Sequence, residues 1–188
     1  NDVSAANFTD SSFVSHQLVN NYINKVVVDR EKTVWVATTN GLIKMRKDSS
    51  GTYEAILMNH FLQDDPSISS NHYDIVSLFI DDDILWACTR GLGLLRFDTG
   101  ENTALWYGQS NGLTMPNIIG ITNDSKGNLW LDGNSGIVMF NTATKEFTNY
   151  TKRDGLVSYD YNKNAVYKDN KGRLYFGGNE GVDYFNPD

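Results

Sequence analysis

Apolar and polar residues alternate in short runs along this chain, and nowhere does a helical stripe of apolar residues persist for three turns. Around residue 78 the pattern is explicit. Val76, Leu78 and Ile80 interleave with Ser77, Phe79 and Asp81, a period of two that suits a strand buried on both faces. Turn-forming clusters break the runs at short intervals, so the pattern predicts strand after strand. One stretch reads as strands over Asp74–Ile80, Ile84–Thr89, Gly93–Phe97 and Thr103–Tyr107. The next reads as Asn117–Asn123, Asn128–Gly133, Gly136–Phe140 and Glu146–Tyr150. A last set, Asn164–Lys168, Arg173–Gly177 and Val182–Phe185, stops before a fourth strand.

These sets are copies of one unit. Asp124-Ser-Lys-Gly-Asn-Leu-Trp130 with Gly136 and Phe140 recurs as Asp169-Asn-Lys-Gly-Arg-Leu-Tyr175 with Gly181 and Phe185. Upstream, Asp29-Arg-Glu-Lys-Thr-Val-Trp35 precedes Gly41 and Met45, and Ile84-Leu-Trp86 precedes Gly91, Gly93 and Phe97. Successive aromatics are 51, 44 and 45 residues apart. A strand cassette with a period in the forties is the signature of a β-propeller. The expected fold is all-β: about four blades of four-stranded antiparallel sheet, forming part of a propeller. Residues 1–22 are set apart as an N-terminal segment, and the blades span about 23–62, 73–108, 117–151 and 163–188.

Position within the unit assigns most of the recurring residues to structure. A four-stranded blade cannot bury both faces alone, so Trp35, Trp86, Trp130 and Tyr175 are expected to fill the gaps between blades. Gly41, Gly91, Gly136 and Gly181 are expected to supply positive φ between second and third strands. Asp29, Asp124 and Asp169 stand six residues before their aromatics, where a carboxylate accepts turn N–H groups. These turns lack the alternating acidic ligands of a calcium loop. The connections Asn111-Gly-Leu113 and Asp154-Gly-Leu156 share a signature of their own. Asp132 breaks the pattern, standing where the other copies have Ala37, Cys88 and Gly177. A carboxylate there must find a hydrogen bond or face water in the central channel, and it is a candidate ligand contact.

Composition narrows the function. A net charge of −7, with basic residues scattered and densest only at Lys44-Met-Arg46-Lys47, argues against nucleic acid. No run of eighteen apolar residues is present, so no membrane insertion by this segment is expected. Cys88 is the single cysteine and reads as a small core residue. His16, His60 and His72 lack metal-ligand spacing, and no Gly-x-Ser-x-Gly elbow occurs. Hence no catalytic residue, metal or cofactor is assigned.

A binding surface is the alternative to chemistry. In propellers it lies on the axial face formed by the loops between second and third strands and the connections between blades. That places Arg90, Asn134, Asn179 and Glu180 on a rim, with Arg153, Tyr159 and His72 behind and Asp132 as the further candidate. Planar guanidinium and phenol groups among amides suit a hydroxyl-rich ligand.

The cassette ending in Trp130, together with Leu85-Trp-Ala-Cys-Thr89, Gly91-Leu-Gly-Leu-Leu-Arg-Phe-Asp98 and Val34-Trp-Val-Ala-Thr38, resembles the two-component regulator propeller repeat. Tyr175 in place of Trp, Asp132 in place of Gly, and the turn Asp81-Asp-Asp83 are its departures. The ending Tyr175–Asp188 resembles the last repeat of such arrays. The resemblance implies a periplasmic, ligand-sensing segment of a hybrid two-component system, often tuned to oligosaccharides. The histidine kinase would lie outside this chain, and the segment itself would not be an enzyme. Rival readings are a streptogramin-lyase-like propeller, whose catalysis resembles metal-assisted elimination, and a protein-binding scaffold. A sialidase is disfavoured, because the Asp-to-Gly gap is one residue too long. Finally, Asn7-Phe-Thr9 resembles Glu146-Phe-Thr148 and is expected to form a lone outer strand. Either it closes onto the last blade, or two open arrays pair as a homodimer. The dimer is the preferred expectation.

Overall fold

A computed structural model describes residues 22–62 and 73–187. They form fifteen strands in four antiparallel sheets, each a blade of a four-bladed β-propeller segment. Blade 1 contains β1 (Ile23–Val28), β2 (Val34–Thr38), β3 (Gly41–Lys47) and β4 (Tyr53–Leu57). Blade 2 contains β5 (Ile75–Asp81), β6 (Ile84–Thr89), β7 (Leu94–Asp98) and β8 (Thr103–Tyr107). Blade 3 contains β9 (Ile118–Asn123), β10 (Leu129–Gly133), β11 (Gly136–Phe140) and β12 (Phe147–Tyr150). Blade 4 has three strands, β13 (Tyr161–Lys168), β14 (Leu174–Gly178) and β15 (Gly181–Phe185). Strands pair in sequence order within every blade, and the first strands β1, β5, β9 and β13 neighbour one another along the axis. The outer strand expected at Asn7-Phe-Thr9 lies outside the described residues.

The seams between blades follow one rule. The ring of Trp35 meets Phe97 edge-on at 5.7 Å, Trp86 meets Phe140 at 5.8 Å, and Trp130 meets Phe185 at 4.9 Å. So the aromatic of the second strand in one blade packs on the third strand of the next. Each seam is a separate apolar cluster, as expected of modules that bury faces only against neighbours.

The conserved geometry of the turns explains the recurring Asp more fully than turn N–H groups alone. Asp124 accepts the backbone N–H of Lys126 and Asn128 with one oxygen, and the indole N–H of Trp130, at 3.0 Å, with the other. Asp29 bonds Trp35 at 2.9 Å in the same way, and Asp169 receives the Tyr175 hydroxyl at 3.1 Å. In these three turns a donor on the ring meets the carboxylate, and in blade 4 the tyrosine hydroxyl supplies it. Burial works to raise the Asp124 pKa, but the bonds from Trp130 and Asn128 outweigh it and hold the carboxyl below its ordinary value.

Gly136 adopts φ +117°, and a Cβ there would come within 2.2 Å of the Tyr150 carbonyl oxygen. The expected positive φ also holds at Gly41, Gly91 and Gly181. The shared Asn/Asp-Gly-Leu signature of the connections has a concrete form. Asn111 and Asp154 accept the backbone N–H of Gly108 and Thr151, and Gly112 and Gly155 turn left-handed. Leu113 then tucks into the seam between blades 2 and 3.

One strand departs from expectation. The sequence places its start at Asn164, but β13 starts at Tyr161, which pairs with Gly178. In β1, β5 and β9 a single residue bulges at this level, namely Asn24, Val76 and Ile119. In β13 the register jumps from Tyr161 to Val166 against a one-residue gap in β14. Aligned on blade 2, three residues bulge, Asn162, Lys163 and Asn164, and Asn164 takes a left-handed φ of +57°. A bulge re-aims side chains, and this one aims them at the axis.

Candidate functional site: the axial face

The enlarged bulge of β13 builds a polar network where the first strands converge. The Asn164 amide donates to the carbonyl of Asn24 at 3.1 Å, and its carbonyl oxygen accepts the Ser77 hydroxyl at 2.9 Å. The Lys163 ammonium donates to the Asn24 side-chain oxygen. Asn24 in turn donates to the carbonyl of Ile75 at 2.7 Å and contacts Asp74 at 3.4 Å. Asp74 completes the chain by accepting Nε of Arg90 at 2.9 Å. Blade 4 is therefore tied to blades 1 and 2 across the axis.

Arg90 lies exposed on the rim, as expected, but it is paired with Asp74, and its backbone bridges Asn117. Asn134 is exposed in the β10–β11 loop. Asn179 and Glu180 occupy the β14–β15 turn and meet the connection between blades 3 and 4. Lys152 pairs with Glu180, and the backbone N–H of Asn179 donates to the Asp160 carbonyl at 3.0 Å. Arg153 and Tyr159 stand exposed on that same connection. His72 lies outside the described residues. The structure thus gathers Glu180, Asn179, Arg153 and Tyr159 around one connection, and joins Arg90 to a network of Asn24, Asp74, Ser77, Lys163 and Asn164.

The position of Tyr159 is set by a second buried carboxylate. Asp183 replaces the apolar residue that is Ile43, Leu95 and Val138 in the other blades. It accepts the backbone N–H groups of Val157 at 2.6 Å and Ser158 at 3.1 Å, and the Tyr161 hydroxyl at 2.6 Å. These bonds pin the connection to β15. Burial and the Asp183 bond push the Tyr161 hydroxyl pKa well above its ordinary value.

Asp132 lies beneath this surface. It is fully buried, and neither oxygen has a hydrogen-bond partner, in contrast to the bond or channel water expected for it. Its carboxyl covers Cα of Gly120 on β9, where a Cβ would sit 2.5 Å from Oδ1. The glycine opposite is what admits a carboxyl into a slot that holds alanine, cysteine or glycine elsewhere. Burial pushes the Asp132 pKa up to about 7, with the Gly120 backbone pulling weakly the other way. The buried thiol of Cys88, 3.8 Å from the Gly120 carbonyl, is pushed up by burial and by Asp132.

Among the described residues no group of three His, Cys, Asp or Glu side chains converges to hold a metal. The only histidine among them, His60, is exposed, its ring tilted against Phe61 with centroids 3.9 Å apart. No described helix is long and apolar enough to cross a membrane. What the axial face offers is a rim of amides, cations and carboxylates with a phenol at its edge. These groups exchange hydrogen bonds with hydroxyls.

The fold is a run of β-propeller blades, and the proteins it resembles include the extracellular domains of hybrid two-component systems and a histidine kinase. It is 34% identical over 176 residues to histidine kinase P4 of Formosa agariphila, covering 92% of this chain and 12% of that protein. It is similar to the extracellular domain of a hybrid two-component system of B. thetaiotaomicron (TM-score 0.73, 25% identity, 88% of this chain and 23% of that one). A second such domain from the same organism matches at TM-score 0.61 and 22% identity, over 89% of this chain and 28% of the other. Virginiamycin B lyase of Staphylococcus aureus shares the fold alone, at TM-score 0.64 and 14% identity, over 92% of this chain and 57% of the lyase. No family model matches the chain. The chain spans about an eighth of its curated relative and about a quarter of the sensor domains.

Proposed function

We propose that this chain is a ligand-sensing, periplasmic segment of a hybrid two-component sensor, that its ligand is an oligosaccharide, and that it acts by binding rather than catalysis. The histidine kinase belongs to the rest of the longer protein. The observation that carries this reading is the axial network of Arg90, Asp74, Asn24, Lys163 and Asn164, built by a bulge larger than in any other blade. Such a network couples three blades to whatever sits above it. A ligand that engages Arg90 or Lys163 changes how blade 4 is held against blades 1 and 2, and a sensor needs this kind of link between site and scaffold.

A glycan array followed by titration calorimetry tests the reading. An oligosaccharide that binds should lose about tenfold or more in affinity, about 1.4 kcal/mol, to Arg90→Ala and to Tyr159→Ala. Unchanged affinity in both variants contradicts the axial assignment.

Two copies of the chain are proposed to pair through their end blades. Tyr167, Val182 and Tyr184 lie exposed on the outer face of blade 4, and Val26 and Val28 on that of blade 1. In the interior seams these faces are covered. Extended apolar faces of this kind favour association.

A further inference from the structure

At the opposite end of blade 1 from the axial rim, the turn after β1 and the outer half of the β3–β4 hairpin enclose a cleft of about 440 Å³. Lys32, Lys44, Arg46 and Lys47 line it, together with Thr33, Tyr53 and a single carboxylate, Glu31. Four cations on one cleft reverse the local sign of a chain whose net charge is −7. By contrast, Arg30, Arg90, Arg96, Lys152 and Arg173 all have carboxylate partners. Among the described residues, none of the four in the cleft forms an ion pair.

Local structure holds them there. Lys32 adopts a left-handed φ of +66° at the corner of the turn. The Lys44 ammonium lies 5.1 Å over the ring of Trp35, and that of Lys47 lies 5.2 Å over Tyr53. These cation–π contacts reduce the freedom of both stems while leaving N–H groups open. The volume falls within the range of about 300–1,000 Å³ typical of small-molecule sites. Lysines and a planar guanidinium fork match sulfate and carboxylate oxygens.

We propose that this cleft is a second ligand site, taking the sulfate or carboxylate groups of an anionic glycan. The exposed Tyr53 side chain favours a sugar over a bare anion, placing aromatic surface beside the cations. A flat anionic membrane is a poorer match to a concave site. An extended nucleic acid would meet the negative charge of the remaining blades. The site shares no residue with the axial network, so either can fail without the other.

Calorimetry and retention on immobilised heparin test it, with heparin-derived oligosaccharides as the sulfated probe and oligogalacturonate as the carboxylated one. Neutral dextran oligosaccharides, inorganic sulfate and phosphatidylglycerol vesicles serve as comparators. At low salt at least one anionic oligosaccharide should bind, and raising the salt should weaken it. The double variant Arg46→Gln, Lys47→Gln alters only exposed side chains, and it should lose about tenfold or more in affinity with an unchanged melting temperature. Arg90→Ala should leave this binding intact, separating it from the axial site. The proposal is overturned if neither anionic probe binds, if the double variant binds as tightly as wild type, if neutral dextran binds equally well, or if only the vesicles bind.

Discussion

At the scale of single residues, two buried carboxylates behave in opposite ways, and hydrogen bonding decides which. Asp124 receives two backbone N–H groups, an amide and an indole N–H, and its pKa falls despite burial. Asp132 has only the Gly120 backbone to favour its charged form, and it rises to about 7 from 3.8. Between those two values the unfolded chain ionises Asp132 while the folded chain keeps its proton. This group therefore removes stability as pH climbs from about 4 to about 7, and its effect levels off above that. At about 1.4 kcal/mol per unit the full difference is about 4 kcal/mol. Denaturation midpoints across that window should fall more steeply for wild type than for Asp132→Asn. Parallel curves would contradict the unpaired carboxyl. Trp130→Ala should cost about 3–5 kcal/mol, because it empties the blade 3–4 seam and strips a donor from Asp124. Near-wild-type stability would contradict that seam. The sequence marked Asp132 by its slot alone. The signal that completes the account is Gly120, which becomes meaningful only once β9 and β10 are known to pair Asp132 opposite it.

At the scale of elements, the repeat made most strands legible because each copy restates the same burial problem. β6, β8 and β11 coincide with their expected spans. The bulge of β13 escaped because added residues inside a strand leave the spacing between Trp130 and Tyr175 at 45, close to the preceding 44. Its partners were equally hidden: Asn164 reaches Ser77 across 87 residues and Asn24 across 140. Contacts of that range carry no local periodicity. The rim positions of Arg90, Asn179 and Glu180 follow from loop position, whereas Asn24, Asp74, Lys163 and Asn164 sit at or near strand starts, where the repeat gives no signal of a shared network. Among the turns, Gly136→Val should destabilise strongly, since it places a β-branched side chain at φ +117° and against the Tyr150 carbonyl. A chemical denaturation midpoint matching wild type would refute the assigned turn.

At the scale of the molecule, the chain spans a small part of the proteins it resembles, and its two end faces expose apolar side chains that interior blades bury. Pairing through those faces predicts a mass in light scattering that rises with concentration toward twice 21.1 kDa. Val26→Glu with Tyr184→Glu, which sets like charges on both end faces, should hold the chain at its monomer mass. A concentration-independent monomer for the unaltered chain would remove the dimer. The central claim, however, is that the axial face receives the ligand and that the β13 bulge feels it. Hydrogen exchange with and without a bound neutral oligosaccharide tests that most directly. Protection should appear in residues 159–164, around Arg90 and at Asn179 and Glu180, with the outer strands unaffected. Binding accompanied by protection elsewhere, with these segments exchanging as in the free chain, would contradict the account.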